Sequence, residues 1–179
     1  MAKSVEPFDS FLVWIADFLG SHLYEGIFLA ALLETVVPPI PTLAVFPTAG
    51  FLASQQQIPL IGVIPMILLG ATGATIGTSA IYLIALKLGR VVLLSYLNYV
   101  KVSEKKLERV EIWFEKYGDK AVFLGRMVPV MREMISIPAG LLKMKIPKFV
   151  MYTFAGSLIW SAGTILAGYY FGEAIGLAI

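Results

Sequence analysis

Four charged side chains sit where charge is expensive. Arg126, Arg132 and Glu133 fall inside the apolar stretch 121–142, and Glu34 closes the apolar run Ile27–Leu33. Arginine keeps its charge when buried, and its planar fork donates paired hydrogen bonds of the kind phosphate oxygens accept. Two arginines on either side of Pro129 could converge on one anion if the chain turns between them. A carboxylate close by would compete with that anion, carry a proton or gate access. Substrate contact is therefore read for Arg126, Arg132 and Glu34, and a proton or gating role for Glu34 and Glu133. The competing reading is a permanent ion pair that staples two segments together.

The surroundings of these residues decide what they cost. At the centre of a bilayer an arginine or acid costs about 2.5–3.5 kcal/mol, while each Leu, Ile or Phe returns only about 0.3–0.6 kcal/mol. A lipid-facing helix over 121–142 is thus unfavourable, the more so with Pro129 and Pro138 inside it. Broken backbone and charge are tolerated at membrane depth where protein or a water-filled cavity encloses them. The membrane itself is read from the distribution of charge. No Asp, Glu, Lys or Arg occurs between Glu34 and Lys87 or between Lys148 and Glu173, and mean hydropathy is +0.82. About 20 apolar residues suffice for one span, so the chain reads as an all-α polytopic membrane protein of one domain.

The elements that must position the charges follow from breakers and periodicity. Residues 1–24 read as an interfacial N-terminal helix, with aromatics among Asp9, Asp17 and His22. Residues 25–57 read as a first re-entrant hairpin, broken at Pro38-Pro39-Ile40-Pro41, because proline removes a donor and disfavours helix in the residue before it. A transmembrane helix is expected over 58–88. Residues 89–118 read as a cytoplasmic loop carrying an amphipathic helix: Leu107, Val110, Phe114 and Tyr117 recur at helical spacing on an otherwise charged surface. Eight of the 14 Lys and Arg lie between Lys87 and Lys120, which places that loop inside the cell and the C-terminus outside. A second re-entrant hairpin is expected over 119–146 and a second transmembrane helix over 147–172.

The two halves resemble each other. Val37-Pro38 leads to Pro47 and Gly50, as Val128-Pro129 leads to Pro138 and Gly140; Ile58-Pro59 matches Ile146-Pro147, and Gly70 and Gly77 match Gly156 and Gly163. This reads as an inverted repeat: a broken-helix hairpin followed by one span, twice, in opposite orientations. Paired, proline-interrupted segments of this kind point to a midplane substrate site at the repeat interface. Pro38, Pro39, Pro41, Gly50, Gly125, Pro129, Pro138 and Gly140 are read as shaping the hairpins rather than binding ligand. Trp113, Trp160 and the tyrosines read as interface anchors and packing.

Two motifs carry a family resemblance. Leu33-Glu34 followed by Pro38-Pro39-Ile40-Pro41 resembles the first signature of the DedA family. Gly125-Arg126-x-x-Pro129-x-x-Arg132, continuing to Ile137-Pro138-Ala139-Gly140, resembles the second. The resemblance covers roughly residues 25–172 and implies the fold shared with VTT-domain lipid scramblases. It implies movement of a lipid phosphate, notably undecaprenyl phosphate, between leaflets of a bacterial-type plasma membrane, coupled to protons or membrane potential. The family's buried acid and two arginines map onto Glu34, Arg126 and Arg132. Relatives that carry an acid just after the Pro-x-Pro turn differ from this chain, which has Leu43 there, so proton coupling is in question.

Other classes fit less well. His22 is the only histidine, placed near an interface; there is no Gly-x-Ser-x-Gly elbow, and no cysteine. An enzyme, a metal site and a cofactor are not expected, nor is nucleic acid as a partner. The expected partners are membrane lipids, above all a polyprenyl phosphate, with protons as a candidate co-substrate and a homo-oligomer left open. The alternatives are a proton-coupled carrier of small ions or solutes, and a structural membrane partner whose charges only hold the hairpins.

Overall fold

The computed structural model describes residues 18–34, 42–99, 104–129 and 131–176. They form helices α1 (Leu23–Leu33), α2 (Thr42–Gln55), α3 (Leu60–Tyr99), α4 (Glu104–Tyr117), α5 (Lys120–Arg126), α6 (Met131–Met134), α7 (Ser136–Leu141) and α8 (Ile146–Gly176), with no strand among the described residues. Two stretches are long and apolar enough to cross a membrane, Leu60–Lys87 and Ile146–Ala174. Their surfaces fit a lipid solvent: Ile61, Ile64, Leu68 and Ile76 on α3 and Met151, Ile159 and Phe171 on α8 are exposed. Water would penalise such a band of apolar side chains; hydrocarbon does not.

Both spans match the expected positions closely, but α3 does not stop at residue 88. It runs on to Tyr99. A single interior glycine such as Gly89 costs only about 1 kcal/mol, and the following residues include good helix formers and no proline. The interfacial helix expected before residue 25 lies mostly outside the described residues. Its described end joins the core instead, with Leu19 and Leu23 buried beside Ile27 and Ala31. In α4 two of the four expected apolar positions are seated on protein: Val110 and Phe114 are buried with Ala121, Val122 and Ile137, while Tyr117 is exposed.

The packing is reciprocal. Helix α1 lies on α3 and α2 on α8, while α5 lies on α8 and α7 on α3, and the two long helices pack on each other. Glycines set the closest approaches. A methyl group added at Gly50 would lie 2.0 Å from the Ile165 carbonyl oxygen, and one at Gly140 would lie 2.5 Å from that of Tyr82. Likewise Gly73 abuts the Phe28 carbonyl and Gly156 the Phe123 carbonyl.

The same turn follows α2 and α7. Gln57 and Lys143 adopt left-handed φ values of 56° and 54°. Ile58 N donates to Ala53 O at 2.9 Å, and Met144 N donates to Ala139 O at 3.0 Å. These are Schellman-type caps, usually made by glycine. A non-glycine residue held there costs roughly 1 kcal/mol or more. Gln57→Gly is accordingly expected to raise stability by about 0.5–1 kcal/mol, read as a higher midpoint of thermal unfolding in detergent; an unchanged or lower midpoint would show that the cap is unstrained.

Candidate functional site

The breaks that position the charges have local causes. Between α5 and α6 the chain turns at Met127–Pro129, where proline cannot continue the helix begun at Lys120. Pro138 is accommodated because it is third in α7, within the first turn, where its missing N–H would have no partner in any case. Pro38, Pro39 and Pro41 lie outside the described residues, but Glu34 ends α1 and Thr42 begins α2 on either side of them.

Across that gap the chain closes on itself. Glu34 Oε1 accepts from Thr42 Oγ1 at 2.7 Å and from Thr42 N at 3.2 Å. Glu34 Oε2 meets Arg132 Nη2 at 3.0 Å, with side chains only 9% and 5% exposed. Arg132 Nη1 donates to Thr42 Oγ1 at 2.9 Å, and its guanidinium lies 4.8 Å from the centre of the Trp160 ring. One carboxylate thus receives a backbone N–H at the start of a helix, a hydroxyl and a guanidinium. That donor set suits an anion, and the positive end of α2 adds to it.

Arg126 is 1% exposed and donates from Nη2 to Ser136 Oγ at 3.0 Å. Its side chain runs past Gly156, where an added methyl would sit 2.6 Å from Arg126 Cβ. Gly156 and Trp160 are four residues apart on α8, so the two arginines meet the same helix about one turn apart. Glu34 and Arg132, drawn from the two halves of the chain, are thereby brought together, with Arg126 at the neighbouring level. The side chain of Glu133 lies outside the described residues. Leu43 is 57% exposed, while Thr42 beside it is fully buried. His22 is exposed and stacks on Phe18.

Three contributors escaped the sequence reading. Thr42 had a signal, since a hydroxyl residue directly after a proline break and before an apolar run suits a helix start. Ser136, read only as part of hairpin 2, binds Arg126. Trp160, read as an interface anchor and packing residue, carries Arg132 on its ring face.

The VTT domain model matches residues 38–170. The chain belongs to the VTT-domain, or DedA, family. Members similar to it include undecaprenyl phosphate transporter A of Staphylococcus aureus, 29% identical over 91% of this chain and 81% of that protein. Undecaprenyl phosphate transporter A of Bacillus subtilis is 34% identical over 90% of this chain and 76% of its own length. An alkaline phosphatase-like protein of Lactococcus lactis subsp. cremoris is 29% identical over 89% of this chain and 75% of its own. No solved structure matches the chain. Family membership and the two apolar spans make this VTT-domain chain an integral membrane protein.

Proposed function

We propose that this VTT-domain chain carries a lipid phosphate of the polyprenyl class between membrane leaflets, with Arg132 and Arg126 holding the phosphate. The observation that carries the reading is the anion site at the start of α2, where Glu34 takes donors from Thr42 N, Thr42 Oγ1 and Arg132. A phosphate monoester presents oxygens of the same kind to the same donors. It can replace Glu34 on Arg132 while Trp160 keeps the guanidinium plane in place. A carboxylate displaced into a low-dielectric interior is costly as an anion, which ties phosphate entry to proton uptake by Glu34 or to its movement toward water. The transporter names of the staphylococcal and Bacillus relatives supply the class of lipid.

The inverted repeat belongs to the same proposal. Reciprocal packing of hairpin arms on the two spans, and matching left-handed caps at Gln57 and Lys143, support two re-entrant hairpins around a central site. Glu133, next to Arg132 in the sequence, is assigned a proton or gating role in the same proposal.

Flipping of undecaprenyl phosphate in proteoliposomes tests the function. Folded native protein that moves no lipid phosphate would overturn it. Glu34→Gln removes the competing charge, so short-chain alkyl phosphate should bind about tenfold tighter while flipping slows. A purely structural ion pair predicts something else: lower thermal stability with alkyl phosphate binding unchanged.

A further inference from the structure

Hydroxyls on the long helices are treated in two ways. Thr72, Thr75, Thr78 and Ser79 on α3, and Thr164 on α8, each donate to the carbonyl four residues earlier at 2.6–2.7 Å. That bond satisfies a hydroxyl in an apolar setting without outside help. Thr153, Ser157 and Ser161 do not make it. They are 0%, 2% and 1% exposed, and their oxygens have no hydrogen-bond partner among the described residues. Their spacing of four residues places them on one face of α8, spread over about 12 Å.

The arginines arrive on the adjoining face of α8, about 100° round the helix. Ser157 follows Gly156, against which Arg126 packs, and Ser161 follows Trp160, on which Arg132 lies. Gly70 of α3 closes the other side, with Ser161 Oγ 3.1 Å from where its methyl would be. A buried hydroxyl without a partner is unfavourable, and alanine or valine would fill the same space without that cost. The neighbouring guanidiniums select the sign of the ligand these hydroxyls can serve: a cation is repelled, an oxyanion attracted.

We infer that Thr153, Ser157 and Ser161 form an uncharged subsite for phosphoryl oxygens, lying along α8 beside Arg126 and Arg132. The inference rests on the lipid-phosphate reading above and extends it from two charged contacts to a track of hydroxyl donors. Along this track the phosphate is passed from one arginine to the other without dwelling in a single deep charge well. The same chemistry admits a lipid headgroup or free phosphate.

The test uses the full chain with Trp14→Phe and Trp113→Phe, leaving Trp160 as the fluorescent reporter beneath Arg132. It is titrated with decyl phosphate and, separately, with inorganic phosphate, with and without Thr153→Val, Ser157→Ala and Ser161→Ala together. The expected result is binding weakened about tenfold with the thermal midpoint unchanged or raised, because the groups removed had no partner to lose. Weakening with decyl phosphate alone assigns the subsite to a lipid headgroup, and weakening with both assigns it to phosphate from either source. Unweakened binding of both probes overturns the subsite and leaves the lipid-phosphate reading standing. If the reporter protein binds neither probe before the hydroxyls are removed, both fall. Should the triple variant fail to fold, Ser157→Ala alone decides, with about threefold weaker binding expected and native binding overturning the inference.

Discussion

Arg132→Lys is expected to leave the protein folded and to lower lipid-phosphate flipping about a hundredfold, the scale of loss seen when one charged contact to a moving anion is removed. Lysine keeps the charge opposite Glu34, so the two segments remain joined. It cannot reproduce the fork that reaches Thr42 Oγ1 through Nη1 and Glu34 Oε2 through Nη2 at the same time. Nor does an ammonium stack flat on Trp160, 4.8 Å beneath the guanidinium. Arg132→Ala is the less informative change, since it strands a buried carboxylate and should cost about 3–5 kcal/mol of stability. Flipping assays on Arg132→Lys, paired with thermal unfolding in detergent, separate the two effects. Native flipping by the folded lysine variant would show that Arg132 serves as a point charge only, and the phosphate contact would have to lie elsewhere.

The other large effect is expected far from any charge, where α2 meets α8. A methyl at Gly168 would fall 1.9 Å from the Pro47 carbonyl oxygen, and one at Gly50 would fall 2.0 Å from that of Ile165. Both obstacles are backbone, so no side chain can rotate aside; the helices must separate. Such contacts between small residues are what lets helices associate in lipid, where burial of apolar surface supplies no driving force. Gly50→Ala or Gly168→Ala should therefore cost about 3 kcal/mol, at the upper end of overpacking penalties, or roughly 10 °C in the thermal midpoint. Gly163→Ala is the control. Nothing lies within 4 Å of its added methyl, and alanine is the better helix former, so its midpoint should hold or rise. Equal losses at all three positions would mean that the close approach of α2 and α8 does not govern stability.

The consequence for the site is direct. Thr42 begins α2, and Trp160 lies on the helix that α2 packs against. Separation of these helices would draw the Glu34–Thr42 end of the site away from the ring that supports Arg132. A glycine substitution about two turns away would thus impair the proposed transport through geometry alone.

Residue types and spacing by themselves determined that this chain belongs in a membrane: the uncharged stretches on either side of the central basic cluster admit few other solvents. They also marked the break at Pro129 and singled out Glu34, Arg126 and Arg132, because charge in an apolar run costs too much to be incidental. Those are local properties, written in composition over 20 residues or fewer. Tertiary structure alone decided which arginine meets Glu34, a pairing across 98 positions, and that Thr42 and Trp160 complete the contact. It also decided the close contacts of Gly73 with Phe28 and of Gly156 with Arg126, and the continuation of α3 to Tyr99. The physical reason is that partner choice depends on how closely two backbones can approach and at what level they cross. That is set jointly by Gly50, Gly168 and the carbonyls they face, and no single stretch of sequence contains both sides of the contact.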